Sequence, residues 1–423
     1  MRSPSGDETK VGGAAQEWRA NWSLVLAAML GMSFASIPNS VLGLFMQPLE
    51  DTFGWSRAMI SSGLMVAAAI GLPLSPVAGV LVDKFGARRC AIPGVAFSAL
   101  FFAAFSLMTG ASWIWWLIWI LHAFASLFIR SMVWNASISN VFNASRGLAI
   151  ALVLSGVALP QVFGPPIGNF LIETLGWRSA FAIIGLGWGG LVVLVVFLFF
   201  RSQNDRTSRT KPSDSSAPAR YTPGGLTFGE AMRDPAMLRI AFAVALTTIT
   251  AASVGVHIFP LMEWAGAGRT AAASLSALLG VGAITGKIMT GTLADKLSSN
   301  LLPPTILMIP ALGYVLIWQS GGAPLILGLG AFAAGFGSGG TLHMATYLTT
   351  RYAGMRNFGS ISGAISAILG LMYGLGPIAA GWVFDKTSSY EPVLIVAIPA
   401  VVVAGLSVAT LGPYRDFAQI REP

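Results

Sequence analysis

The chain has 423 residues, of which 55% are hydrophobic and only 10% are charged. Soluble globular domains carry about a quarter charged residues, so this composition excludes a soluble enzyme and predicts a membrane protein. The net charge of +8 is spread over short connections and not gathered on one face, which argues against nucleic-acid binding. One cysteine and three widely separated histidines exclude a disulfide framework and give no metal-ligand spacing, so we expect neither a metal nor another cofactor.

Long apolar segments fill most of the chain. A membrane-spanning helix needs about 20 mostly apolar residues, and the connections between such segments are short here except for Arg201–Ala236. Residues 1–21 are polar, so we expect no cleaved signal peptide. Twelve segments qualify, and we number them in chain order: Trp22–Met46, Ala58–Val82, Cys90–Met108, Trp113–Val141, Leu148–Ile172, Ala180–Phe200, Met237–Met262, Thr270–Ala294, Leu302–Gln319, Ala323–Thr349, Gly359–Phe384 and Pro392–Leu411.

The cationic residues predict the orientation of these segments. Most Lys and Arg residues lie in the connections on the side of the N-terminus, and only Arg57, Arg178, Arg269 and Lys386 lie in connections on the other side. Cytoplasmic loops carry an excess of Lys and Arg, so both termini are predicted to be cytoplasmic. The compact loops are typical of a multi-pass protein of a bacterial inner membrane.

An internal repeat predicts two similar halves. Gly79–Lys84 spans the end of segment 2 and Gly291–Lys296 spans the end of segment 8. Gly164–Gly168 and Gly376–Gly381 lie in segments 5 and 11. Both pairs are 212 residues apart, which indicates a duplicated six-helix unit and an all-α membrane protein of twelve helices in two pseudo-symmetric bundles. The predicted parts are an N-terminal tail (1–21), a first bundle (22–200), a cytoplasmic linker (201–236), a second bundle (237–411) and a C-terminal tail (412–423).

The connection after segment 2 carries a spaced motif. It reads Gly79-x-x-x-Asp83-Lys84-x-Gly86-x-Arg88-Arg89, and it resembles the signature loop between helices 2 and 3 of the major facilitator superfamily. The resemblance covers essentially the whole chain and implies a transporter. It also implies that the motif residues, together with Asp295 after segment 8, form a conformational gate. We expect Asp83, Arg88 and Arg89 to act there as a charge-assisted latch.

Three further patterns resemble one branch of that family, the monocarboxylate porters and oxalate:formate antiporters. They are Phe53–Arg57 before segment 2, His257-x-x-Pro260 at the end of segment 7, and Gly286-Lys287 in segment 8. In that branch the position of Lys287 is usually an Arg, which binds the substrate carboxylate. Lys287 replaces it in this chain.

Two cations lie deep inside apolar segments, while Arg239 lies at the edge of segment 7 and all acids lie outside the segments or at their ends. The two cations are Arg130 in segment 4 and Lys287 in segment 8. A charge in the hydrocarbon region costs roughly 3 kcal/mol, so such a residue predicts a function. A guanidinium can hold a carboxylate with two parallel hydrogen bonds. The alternatives are an Arg that bonds backbone carbonyls, and a Lys whose ammonium extends to the interface.

Other polar residues of the segments are candidates for hydrogen bonds to a ligand. The set is His257, His343, Asn39, Gln161, Tyr347 and Tyr373. A lone intramembrane His, including His122, is more often a contact between helices than a proton carrier. Trp113, Trp115, Trp116 and Trp119 at the start of segment 4 predict an interfacial aromatic belt.

These observations predict a secondary active transporter for organic anions, either mono- or dicarboxylates or aromatic acids. Exchange and proton-linked symport both remain open, since a His could carry a proton. The alternative is a drug:proton antiporter, because Gly156 and Gly164-Pro165-x-x-Gly168 partly resemble the antiporter motif. No catalytic residues are predicted. The expected partners are the anion, membrane lipid and protons, with no nucleic acid and with a monomer as the working unit.

Overall fold

The computed structural model describes residues 8–139, 141–200, 221–222, 224–297, 299–417 and 420–421. The first part of the predicted linker, residues 201–220, lies outside this described part. The described residues are almost entirely helical. The α-helices are α1 (Glu8–Phe53), α2 (Arg57–Phe85), α3 (Ala87–Ala104), α4 (Ser112–Ser126), α5 (Ser131–Ser139), α6 (Arg146–Ser155), α7 (Leu159–Ile183), α8 (Gly189–Phe199), α9 (Phe228–Ala231), α10 (Pro235–Val256), α11 (Ile258–Trp264), α12 (Arg269–Lys296), α13 (Leu302–Trp318), α14 (Pro324–Ala353), α15 (Phe358–Thr387) and α16 (Glu391–Ala409).

The predicted all-α class with its membrane-spanning segments is confirmed. In the described part of the chain, ten helices are long and apolar enough to cross a membrane. One of them, the continuous run Arg146–Phe199, contains segments 5 and 6, and the shorter apolar helix Leu302–Trp318 is segment 9. Segments 5 and 6 meet at Gly176, whose φ of 80° breaks the helix geometry inside α7. Only glycine adopts that backbone conformation without strain.

Two short strands pair the residues before the last six segments with the residues after them, and two helix caps follow the first strand. Tyr221–Thr222 pairs antiparallel with Ile420–Arg421. Thr227 and Glu230 form a reciprocal capping box at α9, and the backbone N–H of Thr227 lowers the pKa of the Glu230 carboxyl. The Asp234 side chain caps α10 by accepting hydrogen bonds from the backbone of Ala236 and Met237. The end of the predicted linker is thus helical.

Two compact units make up the structure. The first contains Met1–Pro38, Pro73–Pro160 and Phe170–Lys211. The second contains Asn39–Leu72, Gln161–Asn169 and Pro212–Pro423. The second unit therefore includes the end of α1, the start of α2 and part of α7 together with segments 7 to 12.

An aromatic cluster forms part of the core of the first unit. Trp115 and Trp119 are buried, with 0% and 1% of their surface exposed, and their rings pack against Phe105 at centroid distances of 4.9 and 5.4 Å. Trp113 and Trp116 are exposed. The predicted aromatic belt is therefore wrong for two of its four members, because one face of α4 packs inward and carries every fourth residue into the core.

Backbone contact between α12 and α14 organises the second unit. A Cβ built on Gly282 or Gly286 of α12 would fall against the carbonyl oxygen of Phe332 or Phe336. Gly335 and Gly339 of α14 make the reciprocal contacts with carbonyls of α12. Both helices thus carry glycines four residues apart, the spacing that lets membrane helices approach closely. No larger side chain fits at this crossing.

Several residues of the C-terminal tail bond to the rest of the second unit, among them Tyr414 and Arg415. The hydroxyl of Tyr414 donates to the carbonyl oxygen of Ser299 at 3.0 Å. The guanidinium of Arg415 pairs with Asp234 at 2.8 Å. These bonds hold the start of the tail against the connection between α12 and α13 and the beginning of α10.

We expect Gly286→Ala to destabilise the protein by about 1–3 kcal/mol, because the added methyl group overpacks the contact with α14. The measurement is the melting temperature of the purified protein in detergent. The matched control is Gly291→Ala in the same helix, where nothing lies within 4 Å of the position that the new Cβ would take. Equal melting temperatures for the two variants would contradict the tight crossing.

Candidate functional site

Segment 4 is a broken helix. After α4 a short 3-10 turn covers Leu127–Ile129, and Arg130 then takes an extended conformation with φ −74° and ψ 164° before α5 begins at Ser131. A break of this kind frees backbone groups that need new partners in a membrane interior. The indole N–H of Trp134 donates to the carbonyl oxygen of Ile129 at 2.8 Å. Discontinuous helices of this type often build the binding sites of transporters.

Arg130 itself is half-buried at this break. Its Nη1 donates to the hydroxyl oxygen of Ser75 in α2 at 3.3 Å. Within the described part of the chain, no carboxylate forms an ion pair with Arg130. The guanidinium is thus held by a neutral partner, and its remaining donors can bind an anion.

Lys287 and His343 come together in the second unit. Lys287 directly follows Gly286 in α12, and His343 lies one turn beyond Gly339 in α14. The glycine crossing therefore brings the two side chains close enough for their charges to interact. The ring atom Nδ1 of His343 is buried and has no hydrogen-bond partner among the described residues. A buried polar atom without a partner can form a hydrogen bond with a ligand.

Gln161 of α7 contacts the face of α12 that carries Gly280. Its Cβ comes within 2.8 Å of where a Cβ of Gly280 would stand. Gly280 and Lys287 are seven residues apart, so they share a helix face about 10 Å apart along the axis. The structure thus places Gln161 against α12 about two turns before Lys287, in the same unit as His343.

The other predicted polar residues have different surroundings. Asn39 of α1 is half-buried, and Tyr373 of α15 has 42% of its surface exposed. The ring of Tyr347 packs against Tyr414 of the tail at 5.8 Å and lies 5.2 Å from the guanidinium carbon of Arg351. Tyr347 therefore belongs to the contact between α14 and the C-terminal tail.

His257 occupies the junction between α10 and α11 and is completely buried. Its Nδ1 lies 2.8 Å from the Tyr390 hydroxyl, and its Nε2 lies 2.9 Å from the Pro377 carbonyl oxygen and 3.2 Å from the Ser61 hydroxyl. Both ring nitrogens thus have protein partners.

His122 differs from His257, because neither of its ring nitrogens has a hydrogen-bond partner among the described residues. It is buried in the aromatic cluster of the first unit, with ring centroids 5.9 Å from Trp119 and 6.4 Å from Phe102. The structure does not place it beside any of the other predicted site residues of that unit.

Comparison with known proteins settles the family. The profile of the Major Facilitator Superfamily matches residues 28–377. The chain belongs to the Major Facilitator Superfamily. It is therefore a multi-pass membrane transporter and not an enzyme, as the sequence predicted.

Individual relatives agree with this assignment. Monocarboxylate transporter 11 of Mus musculus is 25% identical over 413 residues, which cover 89% of this chain and 84% of the relative. Monocarboxylate transporter 11 of Homo sapiens is 24% identical over 408 residues, which cover 87% of this chain and 78% of the relative. A solved structure shows the same fold with a TM-score of 0.61 at 18% identity, covering 92% of this chain and 94% of the other. It is a bacterial homolog of the human lysosomal transporter Spinster, in an inward-facing and unoccupied conformation.

The superfamily signature loop joins α2 to α3. Gly86 has a φ of 88° and caps α3, a backbone conformation that favours glycine. Arg88 donates from Nη2 to the carbonyl oxygen of Phe197 at the end of α8, at 2.8 Å. Gly79 lies within α2, and Asp83, Lys84 and Arg89 are exposed. The side chain of Asp295 lies outside the described residues.

Sequence reasoning missed several polar residues that the structure brings together. Ser75, the partner of Arg130, lies between Pro73 and Pro76 in α2, and that proline spacing was the one local sign of an unusual position. Glu50 and Asp385 join Arg57 in a cluster assembled from distant parts of the chain. No local pattern in the sequence indicates that cluster.

We expect Trp134→Phe to destabilise the protein by about 1–3 kcal/mol, because the Ile129 carbonyl at the helix break then has no donor. The melting temperature in detergent measures the effect. Trp113→Phe is the matched control, since Trp113 has 63% of its surface exposed. If both substitutions have the same small effect, the indole does not stabilise the break.

Proposed function

We propose that this transporter carries organic anions, with a carboxylate as the group that it recognises. The observation that carries the proposal is Arg130, a half-buried cation at a helix break whose observed hydrogen-bond partner is the neutral hydroxyl of Ser75. Removing a charge from water is costly unless an opposite charge compensates it. A carboxylate supplies that charge and fits the planar guanidinium with two parallel hydrogen bonds.

The helix break adds to this preference for an anion. α5 begins directly after Arg130, and the N–H of Val133 in its first turn bonds the Arg130 carbonyl oxygen. The first N–H groups of a helix otherwise lack partners within it. The start of a helix carries a partial positive charge, which stabilises an anion nearby. In transporters, broken helices direct such ends toward anionic groups of the substrate.

Lys287 is the second cation that supports the proposal. It lies near His343, and Gln161 contacts the same helix about two turns away, so these polar side chains can donate hydrogen bonds to further oxygens of the ligand. Two relatives bear the name monocarboxylate transporter 11, which favours the same substrate class. We infer that Asn39 and Tyr373 contribute weaker contacts.

The remaining features of the proposal concern the cycle of the transporter. We infer alternating access by two bundles, 22–200 and 237–411, in a cytoplasmic membrane with both termini inside. Gly79, Asp83, Lys84, Gly86, Arg88, Arg89 and Asp295 are the proposed gate on the cytoplasmic side. The predicted excess of Lys and Arg on that side supports the orientation.

A thermal-shift screen tests the substrate class. We expect some members of a panel of aliphatic and aromatic carboxylates to raise the melting temperature of the purified protein. A ligand at a hundred times its Kd stabilises a folded protein by about 2.7 kcal/mol. Arg130→Lys should weaken this binding roughly ten- to a hundredfold, because the charge remains but the bidentate contact is lost.

Matched ligands and variants make the screen decisive. The neutral amide of each active acid should give no shift, and Lys287→Arg should bind better than Lys287→Gln. A panel in which no carboxylate stabilises the protein while cationic drugs do would overturn the proposal in favour of drug export. Unchanged carboxylate binding in Arg130→Lys would remove Arg130 from the site.

We expect transport to proceed by exchange. Arg130 and Lys287 add two positive charges to the empty transporter, and moving these charges without a bound anion is costly in a medium of low dielectric constant. Uptake of a radiolabelled carboxylate into proteoliposomes should therefore rise strongly when the vesicles contain the unlabelled anion. Full uptake into empty vesicles under an inward proton gradient, lost in His343→Gln, would instead establish symport.

A further inference from the structure

A cluster of polar side chains connects five helices of the second unit on the side that the charge count predicts to be outside. Its members are Glu50 at the end of α1, Arg57 at the start of α2, His257 between α10 and α11, Asp385 at the end of α15 and Tyr390 directly before α16. We call these five residues the outer cluster. They come from both sequence halves, yet they all belong to one compact unit.

Asp385 caps a helix that lies far away in the sequence. Its two carboxylate oxygens accept hydrogen bonds from the backbone N–H groups of Arg57 at 2.8 Å and Ala58 at 3.0 Å, the first two residues of α2. The hydroxyl oxygen of the local residue Ser56 accepts from the backbone N–H of Met59. The first N–H groups of a helix lack partners within it and carry partial positive charge, so a carboxylate stabilises them. Asp385 thus ties the end of α15 to the start of α2.

The side chain of Arg57 forms a second connection. Its Nε and Nη2 donate to the two carboxylate oxygens of Glu50 at 2.8 and 3.2 Å, and its Nη1 donates to the Tyr390 hydroxyl at 2.7 Å. The guanidinium carbon lies 3.7 Å from the ring centroid of Phe384. Arg57 has only 9% of its surface exposed. A buried, forked ion pair with an aromatic face against it is a specific and rigid contact.

The hydrogen bonds determine which nitrogen of His257 carries the proton. Arg57 can only donate, so the Tyr390 oxygen accepts from it and the phenolic proton is directed to Nδ1 of His257. The Pro377 carbonyl can only accept, so Nε2 carries the hydrogen. His257 is therefore a neutral ring, hydrogen-bonded to Tyr390 on one side and to Pro377 on the other. The hydroxyl oxygen of Ser61 in α2 also lies 3.2 Å from Nε2.

The backbones around the cluster are in direct contact. A Cβ on Gly381 of α15 would lie 2.6 Å from the backbone nitrogen of Ala58, and one on Gly374 would lie 3.1 Å from the Cα of Met65. α2 and α15 therefore touch at two points about two helical turns apart. This contact joins a helix of the first sequence half to one of the second.

We propose that the outer cluster is a reversible lock on this contact, and that Asp385 is the residue that engages and releases it. Four hydrogen bonds of the described residues connect α2 to the other members: two from its N-terminus to Asp385, one from Arg57 to Tyr390, and one between Ser61 and His257. Each is long-range in sequence. They all break if α2 separates from α15, from α16 and from the junction of α10 and α11.

After that separation, the polar side chains of α2 and those of α15, α16 and the α10–α11 junction still have hydrogen-bond partners. Arg57 retains its forked bond to Glu50, seven residues away in the same half. His257 retains Tyr390 and Pro377 in the other half. Asp385 is an exposed residue, so water replaces the N–H groups that it loses. Opening therefore leaves no buried charge of the cluster unpaired, which is the main cost of breaking an ion network.

The inference rests on the proposed alternating access, but its test needs no substrate. The chain has one cysteine, the buried Cys90, so Cys90→Ala gives a thiol-free background. Ser61→Cys then places a reporter at a residue with 0% of its surface exposed beside His257. The rate of modification by a maleimide, measured in detergent, reports how often the contact opens.

We expect Asp385→Asn to raise this rate roughly tenfold, since an amide replaces the charge-assisted bonds to the start of α2. Arg57→Lys should raise it severalfold, because Lys cannot form the fork. The matched control is Glu391→Gln on the same side, whose carboxylate accepts from the Trp318 indole outside the cluster. That variant should leave the rate unchanged.

Native Cys90 separates opening from unfolding. In the protein that keeps its native Cys90, Asp385→Asn should not raise the rate at which the maleimide modifies Cys90, which lies in the first unit. Equal reporter rates in the parent, Asp385→Asn and Arg57→Lys would overturn the lock. A parallel rise at Cys90 would also overturn it, because the substitution would then loosen the whole protein. Failure of the carboxylate screen would leave these outcomes unaffected.

Discussion

A hydrocarbon surrounding requires that backbone N–H and C=O groups bond within the protein, and the architecture of this transporter follows from that constraint. Long helices satisfy it residue by residue. Where a helix stops inside a segment, a side chain has to complete the bonding, as Trp134 does at Ile129. The break at Arg130 is therefore a costly feature, and its presence beside a cation gives the strongest indication of where the protein binds its ligand.

The arrangement of helices was largely predictable from the sequence, because hydrophobic length alone identifies a membrane-spanning segment. Gly176 and Gly86 also mark chain reversals at positive φ that glycine favours. The break at Arg130 was not predictable, since neither a proline nor a glycine stands there. Conversely, α2 continues through Pro73 and Pro76 although proline usually interrupts a helix.

The candidate site was predictable only in part. A cation in an apolar segment is conspicuous, so Arg130 and Lys287 could be selected from the sequence. The glycines that bring His343 to Lys287 have a regular spacing, which a search for close helix crossings would have found. In the outer cluster, Arg57 and His257 belonged to two of the family-like patterns, but nothing in the sequence indicated that Asp385, more than three hundred residues from Arg57, is a partner. Their partnership depends on tertiary packing alone.

The glycine crossing of α12 and α14 has a consequence for how stability changes with temperature. Separating these helices within a membrane would expose their backbones and small side chains to lipid, not to water. The large heat capacity of unfolding in soluble proteins comes from the hydration of newly exposed apolar surface. Close packing in lipid is driven by van der Waals contact instead. The free energy of this crossing should therefore vary almost linearly with temperature, without the curvature that causes cold denaturation.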